Sequence, residues 1–176
     1  MLNRHDGLEV RASIKLRKLA GKVAHLEPIR IYSEDFARPE KEEDFTSIFS
    51  GSSLALYSIS FPNAECDAIY NAFAEARNEA RDGRSYSRLL PKPQARESRC
   101  AYVGSSENLV KRMKEHFGFG HKATYALHMN RWANDLGPVR IEVREYQQKT
   151  EKTLILILED AWSDELIPLF GRRGSL

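Results

Sequence analysis

Cysteine is scarce in this chain, and the spacing that would give it a metal is missing. Cys66 and Cys100 stand far apart, with no Cys-x-x-Cys pair and no Cys/His cluster, which argues against a zinc site. A reducing, intracellular setting is the simplest fit to so few thiols. Long apolar runs are missing too. The longest, Leu154 to Leu158, falls far short of the roughly 20 residues that a membrane span requires. The first residues show neither the apolar stretch nor the small-residue cleavage site of a secretory signal. The expectation is therefore a cytoplasmic protein with no membrane partner. There is no internal repeat, no low-complexity tract, no phosphate-binding glycine fingerprint and no Ser/His/Asp arrangement. A large net charge is also lacking: the formal value is +2, which does not by itself announce a nucleic-acid binder.

What is present is an uneven distribution of charge, which says more than its sum. Basic residues gather at Arg11 to Lys22, Arg77 to Arg99, Lys111 to Lys114 and Arg172-Arg173. Acid concentrates at Glu40 to Asp44 and Glu159 to Glu165. A chain of 176 residues fits one domain, or one domain with an appendage. At that size roughly 70% of the unfolded surface can be buried, so no staple is needed.

Leu8 to Leu26 reads as a basic amphipathic segment, broken near Gly21 and ended by Pro28. It is either a helix packed on the domain or a basic arm for a nucleic-acid backbone. Ile29 to Tyr32 is a candidate short strand, and Phe36 to Ser53 reads as a linker or loop. Leu54–Ser60 is a strand bounded by Gly51 and Pro62. Asn63 is placed to cap a helix from Ala64 to about Arg81, with Ile69, Tyr70 and Phe73 on its apolar face. Ser85 to Glu97, with Pro91 and Pro93, reads as a surface loop. Ala123 to Asn134 reads as a helix. Val139–Tyr146 alternates cleanly, with Val139, Ile141 and Val143 toward a core and Arg140, Glu142 and Arg144 toward water. Thr150 is placed to cap a last helix, Glu151 to about Leu166, ended by Pro168. This order predicts an α+β domain with a small three-stranded antiparallel sheet flanked by helices. An N-terminal extension covers residues 1–50 and the domain covers 51–176, with a helical insert over about 61–98.

The chain is organised around Arg99 to His116. The segment reads as a short strand, a turn at Gly104 and a helix that Ser105 or Ser106 could cap. Leu109, Met113 and Phe117 share one apolar row. Arg112 and His116 lie one turn apart on a neighbouring row, so their heads can converge on one point. A strand-end tyrosine, a helix N-terminus and an Arg/His pair suit a phosphate. Glu159 is the most informative acid, because Leu154 to Trp162 is apolar on nearly every side. A carboxylate there is costly unless a metal, an arginine or several donors compensate it. Otherwise it faces a solvent stripe beside Asp160 and Ser163. One carboxylate is enough to hold Mg2+ when water and phosphate complete the shell. Taken singly, Tyr57 and Tyr102 would be packing residues, and Arg112 a solvated helix arginine.

Together these pieces resemble the GIY-YIG nuclease superfamily. Ala55-Leu56-Tyr57 stands for its first motif and Tyr102-Val103-Gly104 for its second. Ser106 to Arg112 looks like the family's arginine helix, His116 like the histidine that many members carry one turn later, and Ile157-Leu158-Glu159 like its glutamate element. The resemblance covers about Leu54 to Gly171. Three departures stand out: Ala55 replaces a glycine, Gly171 falls where the family usually has asparagine, and the 61–98 insert replaces what is often a short hairpin.

The resemblance implies a metal-dependent endonuclease that hydrolyses phosphodiester bonds of DNA. Glu159 would bind one Mg2+ or Mn2+. Tyr57 would help deprotonate the attacking water, Tyr102 would orient water or phosphate, and Arg112 would hold the phosphate. His116 would donate to the phosphate or assist proton transfer. Ser105, Lys111, Lys114, the Pro91-to-Arg99 loop and the basic N-terminal segment could follow nucleic-acid phosphates. Cutting both strands would call for a homodimer or two successive nicks. The alternative is a catalytically weak or inactive nucleic-acid- or protein-binding module on the same fold.

Overall fold

The two cleanest strand patterns of the sequence lie side by side at the centre of one antiparallel sheet. A computed structural model describes residues 4–37, 44–49, 53–80, 82–91 and 98–171. In chain order the elements are α1 (Arg4–Ala24), β1 (Arg30–Phe36), α2 (Phe45–Ile48), β2 (Leu54–Ser60), α3 (Cys66–Glu79), β3 (Cys100–Ser106), α4 (Leu109–Phe117), β4 (Val139–Tyr146) and α5 (Lys152–Leu166). Short 3-10 turns at Met129–Arg131 and Asn134–Leu136 precede β4. The class is α+β. No helix among the described residues is long and apolar enough to cross a membrane.

Among the described residues the sheet has four strands, in the order β1-β4-β2-β3, and not the three that the sequence pattern predicts. The added strand, β1, comes from the segment assigned to the N-terminal extension. It runs antiparallel along the outer side of β4, with Tyr32 opposite Val143. Its pattern is weak because it is an edge strand with both faces partly wet, and only Phe36 is buried. Asp35 pairs with Arg140 through two bonds of 2.8 and 2.9 Å, and the pair is exposed enough to add little stability.

Helices cover both faces of the sheet. Ala55, Tyr57 and Ile59 of β2 enter the larger core with Val139, Ile141 and Val143 of β4. Leu54 and Leu56 point the other way, onto Ile155 and Trp162 of α5. This explains why β2 is buried on both sides and reads as a continuous apolar run. The insert helix α3 is part of the core. Phe73 stacks on Phe170 at 3.9 Å between ring centroids, and Trp132 meets both edge-on.

Several boundaries differ from the sequence reading. α1 passes through Gly21 unbroken to Ala24. α3 starts after Glu65, which makes no side-chain cap bond, so Asn63 is not its cap. The helix expected over Ala123 to Asn134 is instead an extended stretch followed by the 3-10 turns. Ala126 bridges Tyr86 of the insert, and His128 adopts a left-handed backbone, φ 52°, which a helix cannot accommodate. α5 begins at Lys152 without a side-chain cap, so Thr150 does not supply one. Ile167 stops α5 in the left-handed region, φ 51°, one residue before Pro168.

Candidate active site

Tyr57 and Tyr102 reach the same face of the sheet because β2 and β3 pair with Tyr57 opposite Gly104 and Ile59 opposite Tyr102. Their rings stack nearly parallel, 6.1 Å apart and 18° from coplanar. Gly104 does not make the expected turn: it lies within β3, in the ladder. The glycine is required for a different reason. A Cβ there would sit 2.5 Å from Tyr102 Cε1 and 3.0 Å from Tyr57 Oη. Gly104→Ala is therefore expected to push Tyr102 aside and cost about 1–3 kcal/mol, as overpacking does. Chemical denaturation measures it, and an unchanged midpoint would mean that Tyr102 yields without cost.

The strand continues to Ser106, so neither Ser105 nor Ser106 caps α4. Asn108 does, its Oδ1 accepting from Lys111 N–H at 2.9 Å. The Leu109, Met113 and Phe117 row is fully buried, which turns the neighbouring row toward the tyrosines. Arg112 and His116 converge there on one atom, the Tyr57 hydroxyl. Arg112 Nε donates to it at 3.1 Å and His116 Nε2 lies 2.9 Å away. His116 Nδ1 accepts from Leu127 N–H at 3.3 Å. That bond leaves the ring proton on Nε2, so His116 donates to Tyr57. Burial, reinforced by the Arg112 charge, holds the His116 pKa well below its ordinary value. It is a neutral group with both nitrogens engaged inside the protein.

Arg112 also donates from Nη2 to Tyr102 Oη at 3.3 Å, and from Nη1 to Glu115 Oε2 at 2.9 Å and to Tyr125 O at 3.1 Å. Its fork is held on three sides. Tyr57 is completely buried, and burial raises its hydroxyl pKa further than the Arg112 charge lowers it. The tyrosine assigned to deprotonate water is thus held protonated, away from solvent.

Glu159 approaches from the opposite face of the sheet. β3 is the other edge strand. Its first residues are covered where Leu169 N–H and Phe170 N–H bond Cys100 O and Ala101 O at 3.0 and 2.9 Å. Beyond them opens a cleft of about 640 Å3, which Tyr102, Arg112, Glu159 and Gly171 line together. α4 reaches it over one face of β3 and α5 over the other. Burial raises the Glu159 pKa, the Ser105 side chain and backbone lower it in part, Asp160 raises it and Arg112 lowers it. A smaller cleft of about 410 Å3 contains neither tyrosine.

Ser105 is thus brought beside Glu159. Lys111 is exposed beside a second depression that includes Ser105 and Arg112. Lys114 instead helps to lower the Asp44 pKa ahead of α2 and does not line the cleft. Residues 92–97 of the Pro91-to-Arg99 loop lie outside the described residues. Sequence reasoning did not single out Arg77, Arg88 and Tyr125, which line the main cleft, or Glu115, which orients Arg112. The i, i+3 spacing of Arg112 and Glu115 was the one local signal for the latter.

Among the described residues no group of three or more His, Cys, Asp or Glu side chains is placed to hold a metal. A cage made wholly of protein ligands therefore does not fit there. Glu159 does fit a hard divalent cation that keeps most of its shell from water and phosphate oxygens, since its carboxylate is partly desolvated and lines an open cleft. No family model, no curated protein and no solved structure matches the chain.

Proposed function

We propose that the protein is a metal-dependent endonuclease of the GIY-YIG type, hydrolysing DNA phosphodiester bonds at one site. The observation that carries this reading is the convergence of five separately chosen side chains. Tyr57, Tyr102, Arg112 and His116 form one hydrogen-bonded group in which the two tyrosine rings stack, and Tyr102 and Arg112 share an open cleft with Glu159. The order of the sheet supports it, because the two tyrosine strands are direct neighbours.

Glu159 would hold Mg2+ or Mn2+, and the cation would polarise the phosphate and stabilise the leaving oxygen. The guanidinium of Arg112 faces the same space and offsets charge that builds on the phosphate in the transition state. Of Tyr57 and Tyr102 it is Tyr102, whose hydroxyl Arg112 steadies, that borders the cleft, so it orients the attacking water or a phosphate oxygen. Tyr57 and His116 are positioning residues: the buried hydroxyl fixes Arg112 Nε and the neutral ring fixes the hydroxyl.

The test is nicking of supercoiled plasmid with Mg2+ or Mn2+. The wild type is expected to convert it to the open circle, and Glu159→Ala and Arg112→Ala to leave it intact. Equal cleavage by all three would show that the activity belongs elsewhere. A second reading, a binding module with little catalysis, draws support from the Tyr57 hydroxyl, which is buried and unsuited to act as a base. DNA binding without cleavage on several DNA forms would favour it.

A further inference from the structure

The insert between β2 and β3 brings two more cations to the cleft. Arg77 from the last turn of α3 and Arg88 from the returning segment line it with Arg112 and Glu159. Both are exposed, and among the described residues no carboxylate pairs with either. The charge of Arg112, by contrast, is already offset by Glu115. The cleft therefore holds more positive charge than a single phosphate on Arg112 would employ.

Arg88 is also held on a fixed backbone. Its carbonyl accepts from Gly171 N–H at 2.8 Å, Leu89 bridges Phe170, and Leu90 N–H bonds Leu169 O at 3.1 Å. Ser87 N–H bonds Ala126 O at 2.9 Å on the other side. The φ of +120° at Gly171, and the 3.2 Å that would separate a Cβ there from Tyr102 Cε2, let this segment close against the tyrosine. An exposed arginine on a pinned backbone loses less freedom on binding than one on a free loop. At the rim Tyr125 is 69% exposed, while its carbonyl is tied to Arg112. A large ring left in water beside a basic cleft is a platform on which a base can stack.

We infer that Arg77 and Arg88 form a second phosphate subsite, which holds the DNA phosphate next to the one on Arg112. The substrate is then a polynucleotide strand that spans at least two linkages, not an isolated phosphodiester. This rests on the reading of the cleft as a phosphodiester site.

The test is DNA binding in the Glu159→Gln background, where cleavage does not interfere, with a short duplex titrated over a range of salt. Each phosphate neutralised contributes about 0.9 to the slope of log K against log salt on duplex DNA. The pair Arg77→Gln/Arg88→Gln is expected to flatten that slope by about 0.9, the share of one phosphate, and Arg77→Lys/Arg88→Lys to keep most of it. In the otherwise wild-type enzyme, replacing linkages one at a time by neutral methylphosphonates should reveal one sensitive linkage beside the cut. That sensitivity should vanish in the Gln pair. An unchanged slope, or a lysine pair as flat as the glutamine pair, overturns the subsite, and so does the absence of salt-dependent DNA binding. A wild type that cuts nothing while the slope still falls defeats the nuclease reading alone.

Discussion

Replacing Arg112 by lysine is expected to lower plasmid cleavage about a thousandfold, in the range seen when a transition-state donor is removed. The charge remains, so the loss measures geometry. Arg112 makes directed bonds to Tyr57 Oη, Tyr102 Oη, Glu115 Oε2 and Tyr125 O from one planar fork. A lysine ammonium, with three donors on a flexible stem, cannot make all four and still offer an N–H to a phosphate, as the five donors of the guanidinium can. Truncation to alanine confuses the issue, because it leaves the buried Glu115 carboxylate without its partner. Breaking a buried pair in that way costs about 3–5 kcal/mol, reduced here because Arg112 and Glu115 retain 18% and 11% side-chain exposure. Lysine keeps an ion pair within reach of Glu115, so its melting temperature should fall by less than that of Arg112→Ala. Thermal melts and plasmid nicking on the same preparations separate the two effects. Cleavage by Arg112→Lys within threefold of wild type would show that charge alone suffices and that the fork has no part in the reaction.

The residues that make this site were legible in the sequence to different degrees, for physical reasons. β2 and β4 match their expected bounds residue for residue, because central strands carry concentrated apolar patterns. β1 did not, since an edge strand with two wet faces needs no regular alternation, and what marks Arg30–Phe36 as a strand is its register on β4. The Leu109, Met113 and Phe117 row fixed the orientation of α4, and with it the convergence of Arg112 and His116. The point on which they converge was not foreseeable from the row. It depends on β2–β3 register, which sets Tyr57 opposite Gly104. Gly104 itself looks like a turn residue in one dimension. Its role as clearance for two rings exists only across strands. The same limit hid the cleft residues of the insert: Arg77 and Arg88 are ordinary surface arginines until the bridges of Tyr86 to Ala126 and of Leu89 to Phe170 fold the insert back. The 123–134 stretch misled for the converse reason. Its apolar residues are spaced as on a helix face, but the bridge at Ala126 and the left-handed His128 dictate another path.

Glu159→Gln should abolish cleavage and, in the absence of divalent cation, raise the melting temperature at neutral pH. The two effects share a cause. Burial raises the carboxyl pKa above its ordinary value, and the Ser105 donors and Arg112 offset only part of that. An acid whose folded pKa is raised binds more protons folded than unfolded. Stability is then fully present below the ordinary glutamate pKa and falls as pH climbs through the folded value. At neutral pH the ionised carboxylate therefore works against the fold, and a neutral amide of the same shape removes that cost. A divalent cation relieves it in the other way. Mg2+ or Mn2+ should raise the melting temperature of the wild type by mass action and leave Glu159→Gln unmoved. The same shift sets the acid limb of the cleavage profile. Glu159 must lose its proton to hold a cation, so activity should fall with decreasing pH at a higher pH than an unperturbed glutamate would give. Melts of both proteins at several pH values, with and without the cation, test all three points. A Glu159→Gln protein that melts below wild type at neutral pH without metal, or that responds to the cation as the wild type does, would remove Glu159 from the site and the proposed reaction with it.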